Sequence, residues 1–311
     1  MAKTWFITGA SRGFGALYVK EALAAGDAVV ATARNPKSVE ESVGTHPQLL
    51  PLALDVTQEA QAQAAAAAAV ERFGRIDVLI NNAGFGLLGA VEEATQEEIS
   101  RLYATNVFGL LAVTRAVLPY MRRQRSGHVI NISSIGGYAG HEGWGVYCST
   151  KFAVEGLTEA LAAELKPLGI HATVVEPGFF RTDFLDASSL TVSPTVISDY
   201  EETVGAMRNF AARANHAQPG DPAKLAKAMV ALVNSPEPPV RMPFGSDTVA
   251  RIEAKNAGVA AELARWRELS LSTDFGGRMM RPSSSLVLAR SAETGPCRIL
   301  KSRRPTRHAV A

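Results

Sequence analysis

Short β-branched runs alternate with longer helical stretches through the first two thirds of the chain, and few architectures accept that pattern. A strand, a crossover helix and a second strand return to the same sheet in parallel and with a right-handed turn. Repeated units of this kind build an α/β, doubly wound parallel sheet with helices on both faces. The expected strands are seven: Thr4–Thr8, Ala28–Ala33, Leu49–Leu54, Val78–Asn81, His128–Ile132, His171–Val175 and Val240–Pro243. Helical patterns lie near 13–25, 57–73, 95–124, 147–167 and 221–234, and a last helix over about 246–270 is expected to pack on the body. The stretch 185–218 has scattered apolar residues and no clear strand, follows a strand end, and reads as a lid. A single domain over 1–275 with that lid is the expected organisation.

The charge balance splits the chain. Lys and Arg number 32 against 30 Asp and Glu, yet residues 276–311 hold eight basic side chains and one acid, Glu293, which leaves the body net acidic. That basic tail has no aromatic residue and no repeat, so it reads as a disordered extension and not as a nucleic-acid arm. Cys148 and Cys297 are too few and too far apart for a disulfide framework or a zinc site. A reduced, cytoplasmic setting is therefore expected. The chain enters a strand almost at once, so no signal segment is expected, and no uninterrupted apolar run looks long enough to span a bilayer.

The first strand feeds directly into Thr8-Gly9-Ala10-Ser11-Arg12-Gly13-Phe14-Gly15 and then a helix. Glycines there let the backbone turn tightly and approach a pyrophosphate, whose charge the helix N-terminus meets. The spacing G-x-x-x-G-x-G differs from both the common dinucleotide G-x-G-x-x-G and the P-loop. At the end of the second strand an acid would hold ribose hydroxyls and repel a 2′-phosphate. Here Ala33-Arg34 stands in that place, with Arg12 in the glycine loop, while Asp27 sits at the wrong end of the strand. One charge-assisted bond is worth ~1.5–3 kcal/mol. NADP(H) is the expected cofactor.

Tyr147 and Lys151 are one helical turn apart on one face. A cation ~4–6 Å from a phenol stabilises the phenolate by about 3–4 kcal/mol at an effective dielectric near 20, enough to bring tyrosine toward acid/base work. The strand before them ends in Ser133-Ser134-Ile135-Gly136-Gly137, where a hydroxyl can donate to a carbonyl oxygen as charge grows on it. The strand before that one ends in Asn81-Asn82-Ala83-Gly84, small and polar enough to line a cleft.

Taken together, Thr8–Gly15, Asp55, Asn81-Asn82-Ala83-Gly84, Asn106, Ser134, Tyr147, Lys151 and Pro177-Gly178 with Thr182 resemble the short-chain dehydrogenase/reductase family, with its Rossmann-type sheet. The phrases Trp5-Phe6-Ile7-Thr8, Val175-Glu176-Pro177-Gly178 and Arg181-Thr182-Asp183-Phe184 look like its hydroxysteroid- and retinol-dehydrogenase-like members. The resemblance implies that Tyr147 is the general acid/base and that Lys151 lowers its pKa while binding the nicotinamide ribose. Ser134 would orient the substrate oxygen, and Asn106 would hold a water in a proton relay. Gly9, Ser11, Arg12, Gly13, Phe14 and Gly15 would form the phosphate loop, with Arg34, Asp55 and Val56 toward the adenosine. Asn82, Ala83 and Gly84 would lie along the cofactor, and Pro177, Gly178 and Thr182 would clasp its nicotinamide end. Cys148 falls where a small residue is expected and reads as a buried thiol.

Candidates for the substrate side are Phe85, His141, Trp144, Phe179 and Phe180, with Glu142 beside them and Leu185, Leu190 and Tyr200 from the lid. An aromatic, mostly apolar set suits a bulky hydrophobic ketone or secondary alcohol. The expected partner is that small molecule, with neither nucleic acid nor membrane, and the family resemblance implies a homodimer or homotetramer through helices 95–124 and 147–167. An epimerase or dehydratase of the extended branch is disfavoured by the glycine spacing. The remaining alternative is a catalytically silent NADP-binding sensor or scaffold.

Overall fold

In a computed structural model describing residues 2–275, the β-branched runs form one seven-stranded parallel sheet. The body extends to Ala260; a second unit begins at Ala261, and its described part is the end of the last helix. The basic tail lies outside the described residues.

The elements follow in order as β1 (Thr4–Thr8), α1 (Gly13–Ala24), β2 (Ala28–Ala33), α2 (Lys37–Val43), β3 (Leu49–Ala53), α3 (Glu59–Phe73), β4 (Val78–Asn81) and β5 (Gly86–Leu88). Then come α4 (Gln96–Tyr103), α5 (Leu110–Gln124), β6 (Gly127–Ile132), α6 (Gly145–Leu165), β7 (Ile170–Pro177) and β8 (Leu190–Val192). The chain closes with α7 (Ala206–Ala214), α8 (Pro222–Val233), β9 (Arg241–Phe244) and α9 (Ser246–Leu271). The sheet order is β3-β2-β1-β4-β6-β7-β9, all parallel.

Strands β1, β2 and β4 are buried along their whole length, because helices cover both faces; hence the continuous apolar runs. One core forms where β1, β2 and β4 meet α1 and α8, through Trp5, Ile7, Val19, Val29, Ile80 and Met229. The other forms against α3 and α5, where Ala62, Ala65, Ala66 and Ala69 bring the alanine-rich helix close to Phe6, Val30 and Val113. Asp27, set aside as a cofactor residue, accepts from the Lys3 N–H and Trp5 Nε1, both at 2.8 Å.

Four expectations need correction. The stretch 185–218 contains β8, which pairs in parallel with β5 from Gly86↔Leu190 to Leu88↔Val192, and also α7. Both strands are three residues long, too short for alternation to register. The helix expected over 95–124 is two helices joined by a π-turn at Ala104–Gly109. That rod, Gln96–Gln124, is long and apolar enough to cross a membrane by length and composition, but half of its most apolar window is buried in the protein. Finally, the part of α9 that belongs to the body buries little: Thr248 is buried, Asp247 and Ile252 are half-buried, and Glu253 to Ala260 are exposed.

Candidate active site

Strand order reverses between β1 and β4, and a crevice opens where their carboxyl ends part. Gly9 turns the chain out of β1 at φ +65°. The Asn82 side chain at the end of β4 locks that turn, donating to the carbonyls of Thr8 at 3.0 Å and Gly9 at 3.1 Å. In return the Thr8 hydroxyl accepts from the backbone N–H of Asn82 and Ala83, at 2.9 and 3.0 Å. A Cβ at Gly15 would stand 2.2 Å from the Gly9 oxygen and 2.8 Å from Asn82 Nδ2, so the turn admits no side chain there. Helix α1 starts with Arg12 in the cap position and no side-chain cap, unlike α4, capped by Thr95, and α8, capped by Asp221. Its free first-turn N–H groups carry the partial positive charge of a helix N-terminus.

A cavity of about 680 Å³ runs over this turn. Gly9, Ser11, Arg12, Gly13 and Phe14 line it, together with Arg34, Asp55, Val56, Asn82, Ala83 and Gly84. So do Ser134, Tyr147, Lys151, Pro177, Gly178 and Thr182. Gly15 lies beneath this wall, and Asn106 stands behind it. Arg34 is exposed at the end of β2, while the Arg12 guanidinium donates to the Ser188 carbonyl at 2.6 Å. Asp55 accepts from the Thr57 N–H and hydroxyl, at 2.9 and 2.7 Å, which closes the turn after β3.

The side-chain amide of Asn106 is committed to structure. Its Oδ1 accepts from the Phe85 N–H at 3.1 Å; its Nδ2 donates to the Phe85 carbonyl at 3.0 Å and to Thr150 Oγ1 at 3.3 Å. The π-turn aims it there, and it anchors the Gly84–Phe85 turn away from the cavity surface. Lys151, on α6, donates to the Ile132 carbonyl at 2.9 Å, and its Nζ stands 5.8 Å from the Tyr147 ring centre. Burial lowers the Lys151 pKa from 10.5 to about 8, against the carboxylate of Glu155. Tyr147 shifts opposite to the expectation drawn from its spacing to lysine. Burial raises the phenol above its ordinary value, the Ser134 hydroxyl beside it pulls downward, and neighbouring Cys148 adds a smaller upward push. Cys148 is itself a buried free thiol, pushed up by desolvation.

On the other side of Tyr147 the wall is aromatic. Trp144 meets the phenol edge-on at 5.7 Å and Phe184 lies against it at 5.6 Å. Phe85, His141, Phe179, Leu185 and Leu190 also line the cavity. His141 is half-buried, desolvation lowers its pKa, and its buried Nε2 has no partner among the described residues. Phe180 lines the cavity from the α1 side, edge-on to Phe14 at 5.5 Å, so it borders the glycine turn. Two other candidates lie outside the lining: Glu142, in the loop before Tyr147, is exposed, and Tyr200 of the lid donates to Glu92 Oε2 at 2.6 Å. Sequence reasoning missed Arg101, Met207 and Gln218 in the lining, and nothing local marks them. It also missed Glu93, the buried acid that pins the lid. Glu93 accepts from the Ile197 and Ala90 N–H groups at 2.9 and 2.7 Å and pairs with Arg208 at 2.5 Å.

The short-chain dehydrogenase family model matches residues 3–192, more than half of the chain. The chain belongs to that family. It is therefore an oxidoreductase of the short-chain dehydrogenase/reductase type. Oxidoreductase BOA17 of Botryotinia fuckeliana is 41% identical over 280 residues, covering 88% of this chain and 100% of its own. A 3-ketodihydrosphingosine reductase of Bacteroides thetaiotaomicron is 40% identical over 240 residues, covering 77% and 86%. Among solved structures, a short-chain dehydrogenase from Streptomyces avermitilis is 41% identical with a TM-score of 0.82, over 88% of this chain and 100% of its own. ElxO with NADP bound is 27% identical with a TM-score of 0.67, over 80% and 100%. A 3-ketoacyl-(acyl-carrier-protein) reductase from Brucella melitensis complexed with NADH is 26% identical with a TM-score of 0.64, over 78% and 96%. The seven-stranded sheet is thus the Rossmann-type sheet of the family.

Proposed function

We propose that this family member is an NADPH-dependent reductase of bulky hydrophobic ketones, with Tyr147 as the general acid. The observation that carries the reading is one cavity holding the uncapped end of α1 and, farther along, Tyr147, Ser134 and Lys151 against an aromatic wall. Free N–H groups at a helix start, beside a turn too tight for side chains, suit a pyrophosphate. Relatives solved with NADP and with NADH support a nicotinamide dinucleotide there. Exposed Arg34, with Arg12 also in the cavity lining and no acid at the end of β2, favours a 2′-phosphate.

A bound nicotinamide supplies the hydride. The chain supplies the proton and the geometry. Tyr147 O–H donates to the substrate carbonyl oxygen, and the Ser134 hydroxyl donates to the same oxygen as charge builds on it. The phenol is protonated at neutral pH, the form a reduction needs, and burial raises its pKa further. Lys151, fixed by the Ile132 carbonyl, keeps further ammonium hydrogens with which it would hold the nicotinamide ribose, and its charge favours the phenolate left after transfer. The wall of Phe85, Trp144, Phe184 and Leu190 excludes water and fits an apolar substrate, and unpartnered His141 Nε2 offers a polar contact to a substituent. The name of the Bacteroides relative supports ketone reduction as the direction. Exposed Phe108 and Phe152, on the π-turn and α6, support assembly as a homodimer or homotetramer.

The test is NADPH and NADH oxidation in parallel across steroid, aryl, cyclic and aliphatic ketones. Turnover with NADPH on a bulky class is the expected result. Equal use of NADH overturns the reading of Arg12 and Arg34. Tight NADPH binding without turnover on any ketone turns the protein into a cofactor-binding sensor.

A further inference from the structure

One turn below Lys151 on α6, a carboxylate is buried where the reaction does not use it. Glu155 is 3% exposed and Glu176, the last residue before Pro177-Gly178, is 0% exposed. Both meet Arg241 of β9: Glu155 pairs with its Nη1, Glu176 reaches the same nitrogen at 2.8 Å, and Glu159 takes Nη2 at 2.8 Å. The guanidinium also lies over the Tyr138 ring, 5.3 Å from its centre. Three buried polar atoms in this nest have no hydrogen-bond partner among the described residues: Ser133 Oγ, Glu155 Oε1 and Glu176 Oε2. Ser133 and Glu155 converge over Gly137, where a Cβ would stand 2.3 Å from Ser133 Oγ and 2.8 Å from Glu155 Oε1. Glycine at 137 therefore leaves the space that lets Glu155 reach in.

A buried carboxylate is costly unless something nearby needs it. Arg241 faces three carboxylates at once, Glu155, Glu159 and Glu176, so one guanidinium does not balance them all. The other cation on the Glu155 side of α6 is Lys151, four residues earlier, buried and held by one neutral carbonyl. We propose that Glu155 is a positioning residue for the active site: its carboxylate, held by Arg241 in the nest of Ser133 and Glu176, keeps Lys151 charged in surroundings that favour the neutral amine. This rests on the reading of Lys151 as part of the reacting site. The electrostatics agree: the Glu155 charge raises Lys151 against desolvation, whereas burial and the nearby Glu176 lift Glu155 itself to about 7. The charged and titratable groups around Glu155 are Lys151 and Glu159, one turn to either side of it on α6, Glu176 from β7 and Arg241 from β9, with Ser133 beside it over Gly137 and Tyr138 on the far side of Arg241. Above pH 7 Glu155 is mostly ionised, so its support is present where Lys151 begins to lose its proton.

The test reads Lys151 without turnover. Acetic anhydride labels only the neutral amine, and the labelling of Lys151 against pH, followed by peptide mass, gives its midpoint in the full chain. Glu155→Gln should lower that midpoint by about one pH unit or more, and Glu155→Asp should restore most of the difference. The alkaline limb of kcat/KM should move down with the labelling midpoint. If Glu155→Gln does not fold, Glu155→Met, which buries no polar atom, carries the same readout. A folded Gln or Met variant with an unchanged Lys151 midpoint overturns the proposal. Failure of the catalytic reading would show separately: Tyr147→Phe would keep its turnover while the labelling shift remained.

Discussion

The two ends of the cavity are built by different means. At the glycine turn, backbone does the work: Gly9 turns the chain, Gly15 lets two segments touch, Asn82 ties β4 to β1, and α1 presents bare N–H groups. At the lid, side chains from distant segments do it. Arg208 reaches Glu93 across 115 positions, Ile197 meets the same carboxylate, and β8 adds itself to β5. A ligand part shared by many substrates is met by rigid backbone, and the variable part by replaceable side chains.

The sharpest way to break this comparison is at the turn. Gly15→Val drives two methyl groups into the Gly9 carbonyl and should cost about 3 kcal/mol or more at that site. Dinucleotide affinity, read by fluorescence titration, should fall at least ~100-fold. Near-normal affinity would mean that the backbone does not set the phosphate site. Next is Arg208→Met, which leaves Glu93 buried without its cation and should lower stability by about 2–3 kcal/mol. Limited proteolysis should then cut first within 190–215 while cofactor affinity stays near normal; cleavage elsewhere would deny Glu93 its pinning role. Burial alone would raise Glu93, but the Ile197 and Ala90 N–H groups and Arg208 hold it below the usual carboxylate value. Its contribution is thus complete above the unfolded value of about 4.3 and lost as pH falls through the lower folded value. The lid should loosen on acidification. The smallest change is Arg34→Ala, expected to reduce the preference for NADPH over NADH by about 10- to 100-fold. An unchanged ratio of kcat/KM values would shift the selectivity to Arg12.

The same contrast explains what could be read from the sequence. The sheet was legible because β1, β2 and β4 are buried on both faces and so appear as unbroken β-branched runs. Tyr147, Ser134 and the glycine turn were legible because each sits at a strand end or on one helix turn, where spacing carries geometry. The acid pinning the lid was not: Glu93 is one glutamate among several, and its lid partners Ile197 and Arg208 lie more than 100 positions away. Helix α2 was missed because it buries only Val39, which leaves no periodic stripe. Asn106 was named by resemblance; the contacts of its amide with Phe85 and Thr150, 21 and 44 positions away, are not visible in local spacing. The direction of the Tyr147 shift also escaped a pairwise estimate. Spacing to Lys151 argues downward, but burial of the phenol, which spacing does not reveal, pushes it up.

The most direct test of the account is single-turnover NADPH oxidation by Tyr147→Phe on a ketone the parent chain reduces, with cofactor affinity measured on the same sample. The phenyl ring keeps the contacts with Trp144 and Phe184 and removes only the proton donor. The account predicts unchanged NADPH affinity and a rate lower by about 10²- to 10⁴-fold. A variant that binds NADPH and still reduces the ketone within a few-fold of the parent would contradict it.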